Sequence, residues 1–334
     1  MINVGVIGYG YWGPNQVRNF YANKDAKVIK VCDLSRERLA LVESGYPAIK
    51  TTTDYKDMVK DPHIDAVVIC TPVSSHFPLA QAALENGKHV LVEKPMTSTV
   101  EESEKLIDLA EKKKKKLMVD HTFLYTGAVR KMKELIQKGE LGDVYYFDSV
   151  RVNLGLFQHD VNVIWDLAPH DFSIMDYLLQ KDPEMVSAVG VCHLGDLENI
   201  AYVTVQYPGN LLGHLHVNWL APVKVRTTLI GGTKRMIVYD DTEPSEKIKI
   251  YDKGVSYSEK KEDVYQMLVQ YRSGDMLAPK LDSTEALKLV SKEFIDSINE
   301  NRKPLTDGEA GLKVVKLLQA STESMKNKGK LIKI

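Results

Sequence analysis

A short apolar run, Asn3-Val-Gly-Val-Ile7, leads straight into Gly8-Tyr9-Gly10-Tyr11-Trp12-Gly13, and a helical pattern follows. Glycines at this spacing leave few options for the backbone. Gly8 permits a tight turn, Gly10 lets the main chain approach a pyrophosphate, Gly13 lets the helix pack close to the strand, and the helix N-terminus presents partial positive charge. Glycine-rich turns can match the pattern by chance, so the motif alone is a weak signal. It gains weight from Asp33, 20 residues beyond Gly13 at the end of the second apolar run, where a carboxylate can take both hydroxyls of a ribose. The expected ligand is NAD. Arg36 and Arg38 follow, and an arginine there can receive a 2′-phosphate, which leaves NADP open. This reading assigns Gly8, Gly10, Tyr11, Trp12, Gly13, Asp33 and Arg38 to cofactor binding.

The rest of the first 120 residues repeats the theme. Lys27–Cys32, Ala66–Cys70, His89–Val92 and Lys116–Val119 are short and rich in Val and Ile, as strands buried on both faces are. Between them Arg36–Glu43, Phe77–Asn86 and Val100–Lys112 carry apolar residues at three- and four-residue spacing, the last behind a Thr-Ser-Thr start suited to capping. The lysine run Lys112–Lys116 fits a solvated helix C-terminus, where positive charge complements the dipole. After about residue 123 the pattern changes. A helix over Gly127–Gln137 precedes a series of strands: Val144–Val152, Met185–Val191, Ala201–Tyr207, Leu211–Trp219, Val225–Gly231, Arg235–Tyr239 and Lys247–Tyr251. Several alternate polar with apolar residues, which predicts a broad, mostly antiparallel sheet. One helix, roughly His170–Leu179, interrupts it, and Ser283–Asn299 and Gly308–Lys326 close the chain.

A length of 334 residues fits two domains. The 44 Lys and Arg balance 45 Asp and Glu, so no overall field would hold a polyanion or an anionic membrane, and nucleic acid is not an expected partner. Three scattered cysteines, Cys32, Cys70 and Cys192, argue for a reducing cytoplasm over a disulfide framework or a thiolate metal site. The apolar run at Val4 leaves no room for a signal peptide before it, and no stretch approaches the roughly 20 apolar residues of a membrane helix.

Three longer segments sharpen the expectation. Cys70-Thr-Pro-Val-Ser-Ser-His76, Gly87-Lys-His-Val-Leu-Val-Glu-Lys-Pro95 and Trp165-Asp-Leu-Ala-Pro-His170 resemble the Gfo/Idh/MocA family of sugar and cyclitol oxidoreductases, and Glu93-Lys94-Pro95 is the most specific of them. The resemblance covers essentially the whole length, extending to Gly139-Glu-Leu-Gly-Asp-Val144 and Leu305-Thr-Asp-Gly308. Gly10-Tyr-Trp-Gly-Pro-Asn15 also resembles members acting on nucleotide-linked amino sugars. The implied fold class is α/β: an N-terminal Rossmann domain with a doubly wound parallel sheet over residues 1–122, and a C-terminal α+β domain with a large open sheet over 123–334. The resemblance further implies that this open sheet packs against another subunit, as a homodimer or homotetramer, and that the Lys94–Pro95 bond can be cis. The closing helices would be able to pack back on the first domain.

Moving a hydride between a secondary alcohol and nicotinamide also moves the hydroxyl proton, work an amine or an imidazole can do. The resemblance therefore implies Lys94 and His170 as proton-handling residues. Asp166, four residues before His170 and so on the same face of a helix, would hold a substrate hydroxyl or orient the imidazole. Thr71, Pro72, His76 and Glu93 would lie near the cofactor. Tyr125, Arg151, Asn153, Gln158, His159, Asp160, Asn162 and Trp165 are candidates for substrate contact, though ordinary loop polarity accounts for about half of them. Tyr271-Arg-Ser-Gly-Asp275 reads as a polar loop whose Arg272 could clamp a phosphate. His214 and His216 share one strand face, but no third ligand is evident and no metal is expected. Two other functions stand beside the dehydrogenase: a glycosidase using tightly held NAD transiently, and a non-catalytic sensor of cofactor or sugar.

Overall fold

A computed structural model describes residues 1–155, 157–158, 160–257 and 269–334. The chain separates into two compact units, one of Met1–Tyr125 with Thr284–Gln319 and one of Thr126–Ser283 with Ala320–Ile334. The first unit begins with β1 (Ile2–Ile7), α1 (Gly13–Tyr21), β2 (Ala26–Cys32), α2 (Arg36–Gly45), β3 (Lys50–Thr52) and α3 (Lys56–Val59). It continues with β4 (Ala66–Ile69), α4 (His76–Glu85), β5 (His89–Glu93), α5 (Val100–Lys113) and β6 (Leu117–Asp120). All six strands are parallel, in the order β3-β2-β1-β4-β5-β6. The order reverses at β1 and β4, the switch point where a crevice opens beyond the carboxyl ends of the strands.

Local chemistry explains these elements. Every residue of β4 and β6 is buried, and each Val, Ile or Leu so placed contributes roughly 1.5–3 kcal/mol. The Thr99 hydroxyl accepts from the Glu102 N–H to start α5, Glu101 and Glu102 occupy its first turn, and Lys112 and Lys113 its last. Both charge placements complement the helix dipole. The short β3 and α3 escape the sequence reading because three or four residues are too few to show a period. The Leu305–Gly308 segment lies along β6: the Thr306 carbonyl accepts from the Val119 N–H at 2.8 Å, and Met118 bridges to Asp307.

The second unit runs through α6 (Gly127–Gln137), β7 (Val144–Leu154), α7 (Val163–Leu179), β8 (Met185–Val191), β9 (Ile200–Gln206) and β10 (Leu212–Asn218). It goes on to β11 (Leu220–Gly232), β12 (Met236–Asp240), β13 (Ile248–Tyr257) and β14 (Val269–Leu277). Next come α8 (Ala286–Asn299), in the first unit, and α9 (Gly308–Lys326), shared between the two; β15 (Ile332–Lys333) ends the chain in the second. The sheet order is β14-β13-β12-β11-β7-β10-β9-β8-β15, antiparallel throughout except between β7 and β10. Helix α7 covers one face of β7, β9 and β10. Ala201, Val203 and Val205 of β9 point toward that face and are buried, while Tyr202 is exposed.

The structure departs from the sequence pattern in α7 and in β14. Helix α7 begins at Val163, not near His170, and carries Pro169 inside it. Proline lacks the N–H that would bond the Trp165 carbonyl, which makes it look like a boundary, yet the turn before it is fixed by a cap at Asn162. The supposed loop Tyr271–Asp275 is part of β14, an edge strand in which Ser273 pairs with Lys253 and Arg272 with Gly254. Its polarity is that of an exposed edge.

Candidate functional site

The glycine-rich turn occupies the switch point of the first unit. Gly8 has φ +95°, and a Cβ there would stand 2.6 Å from the Cys70 carbonyl oxygen. A Cβ on Gly13 would come within 2.3 Å of the Gly8 carbonyl oxygen, so the first turn of α1 sits directly on the loop. A Cβ on Gly10 would meet only Arg38 Nη1, at 3.6 Å, which leaves the space over this residue open to a ligand. Helix α1 has no side-chain N-cap and no acidic residue in its first turn. Its N-terminus thus keeps its partial positive charge for a phosphate. Tyr11 is exposed and meets Trp12 edge to face, with ring centroids 5.5 Å apart.

Asp33, buried at the end of β2, accepts from the Tyr9 N–H at 2.7 Å and the Ser35 N–H at 2.8 Å. Arg38 Nη1 lies 3.6 Å from the same carboxylate and is half exposed. The loop, the open space over Gly10, the uncapped helix and Asp33 together fit a dinucleotide, with Arg38 beside the ribose position.

Beyond β4, His76 links two loops. Its Nδ1 lies 2.9 Å from the Pro95 carbonyl and its Nε2 2.8 Å from the Thr71 carbonyl. A neutral imidazole can donate to only one of them. Burial nevertheless depresses its pKa, against the pull of the carbonyls. The Ser75 hydroxyl lies 2.7 Å from both Thr71 Oγ1 and the Pro72 carbonyl, so it can donate to the carbonyl while accepting from Thr71, fixing the same loop. The Lys94–Pro95 peptide is cis. Glu93 closes β5 beside Asp120, which closes β6, and Gln16 of α1 donates to both carboxylates. His121 is buried, and burial, then the charge of Lys94, pull its pKa down to about 3. Gln16, Asp120 and His121 are absent from the sequence-based candidates. The available signal was an acid ending the otherwise apolar strand Leu117-Met-Val-Asp120. Tyr125 also lies in this unit, buried and 3.1 Å from the Thr306 hydroxyl.

In the second unit the candidates gather on and around α7. Asn162 caps the helix, accepting from the Trp165 N–H at 3.2 Å and donating to Glu198 at 3.0 Å. Asp166 accepts from the indole N–H of the buried Trp219 at 3.0 Å, and His170 follows one turn later. The indole N–H of Trp165 donates to the Thr322 hydroxyl at 2.8 Å. Arg151 is buried under the sheet in a bidentate pair with Asp171, at 2.7 and 3.0 Å, and Ser149 donates to the same carboxylate. Asn153 is half-buried close to Gly155, and Gln158 and Asp160 are exposed. His159 lies outside the described residues. Arg272 pairs with Asp252 at 2.9 Å and donates to the Lys234 carbonyl. His214 is 3.0 Å from Asp148, and His216 stacks on Tyr202 at 4.4 Å; no group of three metal ligands gathers among the described residues.

Two family models match the chain. Residues 2–121 match an oxidoreductase family with an NAD-binding Rossmann fold, and residues 129–238 match the GFO/IDH/MocA C-terminal domain. The uncharacterized oxidoreductase YdgJ of Escherichia coli (strain K12) is 35% identical over 181 residues, 51% of each chain. The scyllo-inositol 2-dehydrogenase (NADP(+)) IolW of Bacillus subtilis (strain 168) is 25% identical over 98% of this chain and 94% of its own. The solved structure of UDP-N-acetylglucosamine 3-dehydrogenase GnnA from Acidithiobacillus ferrooxidans superposes with a TM-score of 0.80 at 25% identity, covering 98% of both chains. With residues 2–121 and 129–238 matched and the dinucleotide loop in place, this chain belongs to the GFO/IDH/MocA family of NAD-binding oxidoreductases.

Proposed function

We propose that this enzyme transfers a hydride between NAD(P) and a secondary alcohol of a sugar, a cyclitol or a nucleotide-linked sugar. The observation that carries the reading is the position of Lys94: it directly follows β5, at the carboxyl edge of a parallel sheet whose switch point holds the dinucleotide loop. The dinucleotide supplies or accepts the hydride. Lys94 and His170 take and return the hydroxyl proton. Asp166, oriented by Trp219, holds a substrate hydroxyl or sets the imidazole one helical turn on. The relatives' substrates, scyllo-inositol and UDP-N-acetylglucosamine, support the substrate classes. Asp33 favours NAD, and Arg38 beside it gives a 2′-phosphate a partner.

The test is an absorbance screen for nicotinamide reduction against cyclitols, free sugars and nucleotide sugars with each cofactor. On an authentic substrate, Lys94→Ala lowers kcat by roughly 10²–10⁴-fold, the usual worth of a positioned acid–base group. Full turnover in that variant would remove Lys94 from the chemistry.

The same proposal places the enzyme in the cytoplasm, in keeping with three free cysteines and no helix among the described residues long and apolar enough to cross a membrane. It also makes the enzyme a homo-oligomer. The face of the second sheet opposite α7 carries Val189, Tyr202 and His216 in one cross-strand row, with Val191, Leu212 and Leu229 exposed on the same side. An apolar surface of this kind calls for a partner, and a second copy supplies one.

A further inference from the structure

The parallel register of β5 and β6 pairs Glu93 with Asp120 at the carboxyl ends of both strands. Equivalent positions on neighbouring strands put both side chains on one face of the sheet. Gln16, three residues past Gly13, meets them there: its amide nitrogen is 3.1 Å from Glu93 Oε1 and 2.5 Å from Asp120 Oδ2. All three side chains are buried, and the Gln16 carbonyl oxygen is also buried and has no hydrogen-bond partner among the described residues. The Thr122 hydroxyl donates to Asp120 at 2.6 Å. Lys94 adds positive charge from the residue after Glu93, and Cys70 and Tyr125 are neutral groups within the electrostatic reach of the acids.

Two carboxylates side by side, away from water, cannot both keep a charge cheaply. Burial first, and then the neighbouring acid, drive Glu93 well above the ordinary carboxylate range. Burial raises Asp120 as well, against its hydrogen bonds from Thr122, Glu93 and Gln16 and the charge of Lys94.

We propose that Glu93 and Asp120 share a single proton, positioned by Gln16, and that this proton responds to the redox state of the dinucleotide bound at the same sheet edge. With the oxidised, positively charged ring bound, the pair gives up part of its proton to solvent and gains negative charge; with the reduced, neutral ring it keeps the proton. Asp120 and Gln16 are thus positioning residues that hold the charge beside Lys94 in step with the cofactor. The inference rests on the dinucleotide site and not on the substrate class proposed above.

Calorimetric titrations with NAD and with NADH, each in two buffers of different ionisation enthalpy, give the protons released on binding. The phosphates are common to both ligands, so the difference isolates the ring charge. At neutral pH NAD binding releases a measurable fraction of a proton more than NADH binding, and both Asp120→Asn and Glu93→Gln abolish the difference. A wild-type difference of zero, or one that survives in both variants, overturns the proposal. Infrared spectra of the protein without added dinucleotide provide the second readout: a carboxylic-acid C=O band lost in each variant supports the shared proton, and a wild-type spectrum without that band refutes it. Turnover enters neither measurement, so an error in the substrate class shows in the absorbance screen alone.

Discussion

Gly13 stands where the chain has no space for a methyl group, because the atom it would strike, the Gly8 carbonyl oxygen at 2.3 Å, belongs to the backbone and cannot swing aside. Gly13→Ala therefore lowers stability by roughly 1–3 kcal/mol, measured by denaturant unfolding. Gly10→Ala behaves differently: its Cβ would meet only the mobile end of Arg38. Stability stays within about 0.5 kcal/mol while dinucleotide affinity falls, because the methyl takes the space of the pyrophosphate. Equal losses in both assays for Gly10→Ala would refute the open cradle. His121 gives a pH signature. Its folded pKa, about 3, lies far below the ordinary histidine value, so folding favours the neutral ring. The stability it allows is fully present above about pH 6.5 and is lost as pH falls toward 3, since the unfolded chain binds the proton first. Burial, reinforced by Lys115 and Lys116, lowers His89 to about 4 and adds to the same limb. His121→Phe flattens the acid limb of a stability–pH curve, and a slope unchanged by the substitution would remove His121 from it.

Elements are held by residues that the sequence alone casts in other roles. Arg151, a candidate for substrate contact by its place after the crossover, ties β7 to α7 through Asp171, 20 residues later in the chain. Arg151→Met leaves a buried carboxylate with the Ser149 hydroxyl but no guanidinium, and costs about 3–5 kcal/mol in chemical denaturation. Adding Asp171→Leu recovers most of that loss, because the uncompensated charge goes with it; a double variant no more stable than the single one would assign Arg151 a further role. Asn162 likewise serves as the α7 cap. Its polarity was visible in the sequence, but its use was set by the helix that starts there, which Pro169 had hidden. The Asp166 and His170 spacing, by contrast, was legible, since four residues on a helix always share a face.

For the whole molecule the testable consequence is assembly. Tyr202→Glu places a charge in the exposed row between Val189 and His216, and light scattering should show the proposed oligomer dissociating while each subunit stays folded. A monomeric parent enzyme, or a mass unchanged by the substitution, would overturn the proposed interface.

The sequence by itself determined the dinucleotide loop, the alternation of buried strands and amphipathic helices, and the change to an alternating sheet pattern after about residue 123. Each of these is written in spacing along a local stretch, where burial of one face imposes a period of 2 or 3.6 residues. Tertiary structure alone decided which polar groups meet. Gln16, Glu93 and Asp120 converge from one helix and two strands, and α8, almost 300 residues into the chain, joins the unit built by the first 125 and packs Phe294 on Phe20 at 6.2 Å. Periodicity says that a residue is buried. It does not name the partner, because strand order and register are settled by packing between segments far apart in sequence.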